Sequence, residues 1–281
     1  MTGIQKVIKY IAMAFAILLA VTIISGIIAL VGGIFIGTGI INDAIQYEEK
    51  DKNYNSSEFV QTDVDQNVKY IDVEVGYTNL KIQKGEKLYA KTDNKDIEIK
   101  QSGNSLSIKE KNSKKFFWFN NDSKDLIIYI PEDMKFEKIE LNCGAGRVQI
   151  DELFAEKVKF SFGAGKVEMS NIKAEEAKIE TGAGKVSIDK SYLNDLKLDI
   201  GVGATDVSSV ISGDSKINCG IGRVSINLLG DSSDYALDIN KGIGKITVNG
   251  NKVSDKSKIG SGNNKIEING GIGEIVITEK N

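Results

Sequence analysis

Residues 139–169 read IELNCGAGRVQIDELFAEKVKFSFGAGKVEM and hold two copies of one pattern. Ile139, Leu141 and Cys143 alternate with polar residues up to Gly144, and Val148 and Ile150 resume the alternation beyond the corner. Val158, Phe160 and Phe162 lead to Gly163, and Val167 and Met169 follow it. Apolar residues at period two describe a strand with one buried face. Each copy is therefore strand, GxG corner, strand, then a variable corner such as DELFAEK.

The pattern extends in both directions. GxG recurs with first glycines at 144, 163, 182, 201, 220 and 242, spaced by 19, 19, 19, 19 and 22 residues. A weaker copy, GNNK, starts at 262 and a last one, GIGE, at 271. Fixed self-similarity on this scale marks a solenoid. Neither strand of a repeat can bury its apolar face alone. Stacking coils about 4.8 Å apart joins those faces into one core. The expected fold is all-β: a parallel β-solenoid, or β-helix, with coils of about 19 residues and two or three faces per coil. Residues 135–281 are its regular part, closed by the charged end EIVITEKN. Residues 59–134 form an irregular β cap of first coils, since an open end exposes strand edges.

One N-terminal transmembrane α-helix is expected to precede the solenoid. Residues 10–41 carry no charge, whereas a span needs about 20 apolar residues. The run is too long for a signal-peptide core of about 7–15 residues. Lys6 and Lys9 precede it, and Asp43, Glu48, Glu49 and Asp51 follow. The positive-inside rule then places the N-terminus in the cytoplasm and residues 42–281 outside, a single-pass arrangement. All 39 acidic residues and all but Lys6 and Lys9 of the 36 basic ones lie in that outer part, a formal −5. Residues 1–41 thus form the cytoplasmic tip and membrane helix, and 42–58 a polar linker. Ala29, Gly33 and Gly37 share one helix face, which would allow close helix–helix contact.

Composition excludes several chemistries. The 281 residues include no histidine and two cysteines. A Ser/His/Asp or Cys/His nucleophile cannot be built, nor can a His-ligated or Cys₄ zinc site. An acidic chain offers no general attraction to nucleic acid. Each GxG opens a strand rather than a helix, so the phosphate-cradle reading fails. Calcium-binding repeats place aspartate after GxG, whereas here Arg147, Lys166, Lys185, Arg223 and Lys245 follow. No cofactor and no metal are expected. Cys143 and Cys219 lie four coils apart in one inward column, about 19 Å, too far for a disulfide.

The stretches KYIDVEVGYTNLKIQ and DLIIYIPEDMKFEKIELNCGAGRVQI, with the strand–GxG–strand units behind them, resemble a bacterial "putative adhesin" family of β-strand-repeat proteins. The resemblance covers roughly residues 59–281 and implies a cell-envelope β-solenoid without catalytic residues to transfer.

Three candidate contact sites follow. Arg147, Lys166, Lys185, Arg223 and Lys245, joined by Lys265, form one outward basic column, and Lys159, Lys178, Lys197 and Lys216 another. Interspersed acids make this either a compensated solvent face or a polyanion-binding ridge. Phe116, Phe117, Trp118 and Phe119, beside Lys114 and Lys115, either cap the core or contact a bilayer or glycan. The expected protein is a non-catalytic, adhesin-like interaction module at the bacterial cell membrane. Its partners would be a cell-wall polyanion, a glycan or an envelope protein, with the oligomeric state open. The alternatives are an envelope-sensing regulator acting through partner helices and a carbohydrate-active β-helix enzyme. No column of carboxylates supports the last.

Overall fold

The computed structural model describes residues 59–111 and 124–279. The expected membrane helix with Ala29, Gly33 and Gly37, the linker 42–58, and Phe116, Phe117, Trp118 and Phe119 lie outside the described residues. Among the described residues no helix is long and apolar enough to cross a membrane.

The described chain is almost wholly strand. The elements are β1 (Val60–Asp63), β2 (Tyr70–Lys84), β3 (Tyr89–Thr92), β4 (Ile97–Ser102), β5 (Ser105–Glu110), β6 (Lys124–Ile130), β7 (Lys135–Ile150), β8 (Leu153–Ser170) and β9 (Ile172–Asn194). Then come β10 (Leu196–Ser212), β11 (Asp214–Leu228), β12 (Tyr235–Asn240), β13 (Ile243–Val248), β14 (Asn251–Lys252), β15 (Ser257–Gly260), β16 (Asn264–Asn269) and β17 (Ile272–Glu279). Strands β7 to β11 are the 19-residue repeats. Each is one long strand bent at its glycines and paired in parallel with the next. The register places most repeat residues beside their counterparts 19 positions on, as in Ile139↔Val158↔Ala177↔Leu196, and slips by one between β9 and β10, where Val210 faces Tyr192.

Side chains therefore stack in columns. Val73, Leu141, Phe160, Ile179, Leu198 and Ile217 form the central one, and none is more than 1% exposed. Burying side chains of this size contributes about 1.5–3 kcal/mol each. Inward residues of one coil fall into three runs: Leu153 and Ala155; Val158, Phe160 and Phe162; Val167 and Met169. The bends lie at the exposed pair Glu156–Lys157, at Gly163–Gly165, and at Asn171, whose φ is 51°. The coil is thus three-sided, which the alternation alone left open.

Coil order in space departs from chain order at both ends. Strand β2 pairs with β7, while β5 and β6 pair with the other edge of β2. At the far end β16 and β17 pair with β11, and β12 and β13 lie outside them. The terminal strand EIVITE is therefore interior and does not close the stack. Antiparallel strands do so: β3 on β6 and β4 on β5 at one end, β15 on β12 and β14 on β13 at the other. A parallel edge would repeat its own template for another chain, and a short antiparallel strand interrupts it.

Candidate functional site

The columns near the GxG corner define the site. The first glycines stack so closely that a Cβ on Gly163 would lie within van der Waals contact of the Gly144 carbonyl oxygen. This bare corner leaves an open groove of about 910 Å³ along six coils, from Glu74–Gly76 to Asn218–Gly220. Its floor is the column one residue before the first glycine: Val75, Cys143, Phe162, Thr181, Ile200 and Cys219. Glycine backbone forms one side. The other is a polar row, Glu74, Asn142, Ser161, Glu180, Asp199 and Asn218.

Hydrogen bonds run lengthwise along that polar row. Asn240 donates to Asn269 (2.9 Å), Asn269 to Asn218 (2.8 Å) and Asn218 to Asp199 (2.6 Å). Ser161 donates to Glu180 at 3.4 Å. Sequence reading missed this amide ladder because Asn269 follows Asn218 in space but lies 51 residues along the chain.

The lysine ladder beside the row is compensated. Lys159 meets Glu140 (3.7 Å), Lys178 meets Glu180 (2.7 Å), Lys197 meets Asp199 (3.4 Å) and Lys216 meets Glu267 (2.9 Å). Hydrogen bonds from Lys138, Lys178 and Lys216 hold the Glu140, Glu180 and Glu267 carboxyls below the ordinary carboxylate value. Across the corner, Lys166 meets Glu168 (2.6 Å) and Lys185 meets Asp206 (3.9 Å). Arg223 and Lys245 share Glu274, at 3.8 and 3.4 Å. Arg147 makes no ion pair among the described residues; its backbone N–H donates to Asn79. Lys265 is not in this column. It stands beside Asp214, and Glu274 occupies the place after Arg223. Both ladders exist in space, and among the described residues Arg147 is the one of their nine cations without a carboxylate neighbour.

The middle residues of the GxG corners, with Tyr77 in the equivalent place of β2, make a further line that carries no charge. It runs from Tyr77 through Ala145, Ala164 and Ala183 to Val202, Ile221, Ile272 and Ile243. In the end coil β5 stops at Glu110 and β6 starts at Lys124, both paired to β2. The Glu110 carboxylate accepts the Gly76 N–H there at 2.6 Å.

Cys143 and Cys219 are free, and burial pushes both thiols up to about 12. Alkylation of the native chain near neutral pH is expected to be slow at both, because thiolate is the reactive form. Denaturant should release two fast-reacting thiols, counted by mass. Among the described residues no three Cys, Asp or Glu groups gather to hold a metal ion.

Stacked, glycine-cornered parallel coils with antiparallel end strands place the chain among β-solenoid-like proteins. It belongs to the Toastrack DUF4097 family, whose model matches residues 67–275. The resemblance carried by KYIDVEVGYTNLKIQ and the GxG units agrees with this. Solved structures similar to the chain include a "putative cell adhesion protein" from Clostridium sporogenes, 18% identical with TM-score 0.39, covering 79% of this chain and 99% of that one. A "putative adhesin" from Bacteroides fragilis is 17% identical with TM-score 0.36, covering 78% and 95%. A "putative lipid binding protein" from Parabacteroides distasonis is 17% identical with TM-score 0.41, covering 80% and 96%. No curated protein matches the chain.

Proposed function

We propose that the chain is a non-catalytic, adhesin-like interaction module, held by one membrane helix (residues 10–41) on the outer face of a bacterial cell membrane. The observation that carries this reading is the groove beside the glycine corner. It offers one polar row and one floor that is apolar except at Thr181, over six coils, a shape suited to an extended polymer rather than a compact substrate. Its Glu180 and Asp199 are neutralised by Lys178 and Lys197, so the groove suits hydroxyl and amide donors of a glycan better than a polyanion. The hydrogen bond from Lys178 holds the Glu180 carboxyl below its ordinary value, the opposite of what a general acid needs.

The test is a binding screen of the detergent-solubilised full chain against cell-wall glycans and wall polyanions. Ser161→Trp, which fills the groove from an outward position, should reduce glycan binding by about tenfold or more, the loss of one good hot spot. Retained binding in that variant, or turnover of the glycan, rejects the reading.

A further inference from the structure

We propose that the apolar corner line is a docking edge for the anionic lipid headgroups of the bilayer that holds the chain. The proposal rests on the membrane-tether reading above. Ile221, Ile272 and Ile243 sit side by side in register at the end of the line. They are 41, 51 and 73% exposed. Alanine fills the same corner position in three other coils, so the corner geometry does not ask for isoleucine. Three adjacent exposed isoleucines are an apolar patch of the kind that marks an interaction surface.

The charges around the patch point to the partner. Arg223, Lys241 and Lys245 lie beside it. Glu274 is shared by Arg223 and Lys245, and Asp255 accepts the Lys241 backbone N–H at 2.8 Å. Three cations face two carboxylates, and the Lys241 ammonium makes no ion pair among the described residues. Apolar side chains flanked by surplus Lys and Arg match the boundary between acyl chains and anionic headgroups.

The tether allows the contact. Residues 42–58, between the apolar run and the solenoid, reach at most about 60 Å when extended. The corner line spans seven coil spacings, about 34 Å. The tether at full extension is longer than the edge itself.

The full chain in phosphatidylglycerol nanodiscs tests this. Cys143 is buried, Cys219 is partly buried, and both thiols are held protonated near neutral pH, so a single Ile243→Cys accepts a fluorophore selectively. Quenching by headgroup-level spin-labelled lipid should be several-fold stronger at this position than at Glu156→Cys, on another bend of the coil. It should fall in phosphatidylcholine discs and in an Ile221→Ser/Ile272→Ser background, whose exposed positions leave the fold intact. Equal quenching at both labels overturns the proposal. So does shielding of the Ile243→Cys label that depends on protein concentration without lipid, which would assign the edge to a second copy of this chain. Release of the chain from membranes by alkaline carbonate would defeat the tether reading alone. The edge is then decided by whether the released chain floats with phosphatidylglycerol vesicles.

Discussion

Gly203→Ala is expected to lower stability by about 3 kcal/mol or more, seen as a large drop in the thermal or urea midpoint of the strand circular-dichroism signal. Gly203 has φ of +140°, a region that side-chain-bearing residues rarely adopt. Holding a non-glycine residue in such a conformation costs about 1–3 kcal/mol. The new Cβ would also press far inside van der Waals contact on the Gly184 carbonyl oxygen. Gly184 belongs to the neighbouring coil, so relief requires β9 and β10 to separate and their ladder to stretch. Gly103→Ala is the control. Its φ of +59° also favours glycine, but nothing lies within 4 Å of a Cβ there. That variant should lose only about 1–2 kcal/mol, the backbone part. Equal losses at Gly103 and Gly203 would show that coil contact is not what the corner glycines serve.

Phe160→Ala should cost about 3–5 kcal/mol, the range for emptying an aromatic site in a close-packed core. Phe160 is fully buried between Leu141 and Ile179 in the central column, with the Phe162 ring 6.0 Å away. The layers above and below are held by backbone ladders and cannot collapse into the gap. In a solenoid the damage also spreads by nearest-neighbour coupling, so the unfolding transition should broaden as well as shift. Phe160→Leu keeps most of the volume and should lose less than half as much. A change of under about 1 kcal/mol in Phe160→Ala would mean the column is not the source of stability assigned to it.

Much of the solenoid could be read directly from the chain. The period-two alternation of Val158, Phe160 and Phe162 names the buried face, because a strand turns successive side chains to opposite sides. The recurrence at 19 residues names the stacking, because only an in-register neighbour continues the column. The lysines at 159, 178, 197 and 216 were legible as an outward ladder for the same reason. Their compensation was not. The Lys216–Glu267 pair joins residues 51 apart in the chain, across the point where coil order stops following chain order.

That reordering also hid the groove and the corner line. Ile221 meets Ile272 before Ile243, and Asn218 meets Asn269 before Asn240. A reading that stacks coils in chain order gives Lys265 the place of Glu274 and turns an interior strand into a terminal one. Local alternation and a fixed period are properties of neighbours along the chain, and the sequence by itself determined the strands, their inward faces, the glycine corners and the parallel stack. Which coil lies outermost, how each end is covered, and which side chains meet along the groove depend on pairings between distant segments. Only the tertiary structure decided those, because backbone edges are closed by whichever strand reaches them in space.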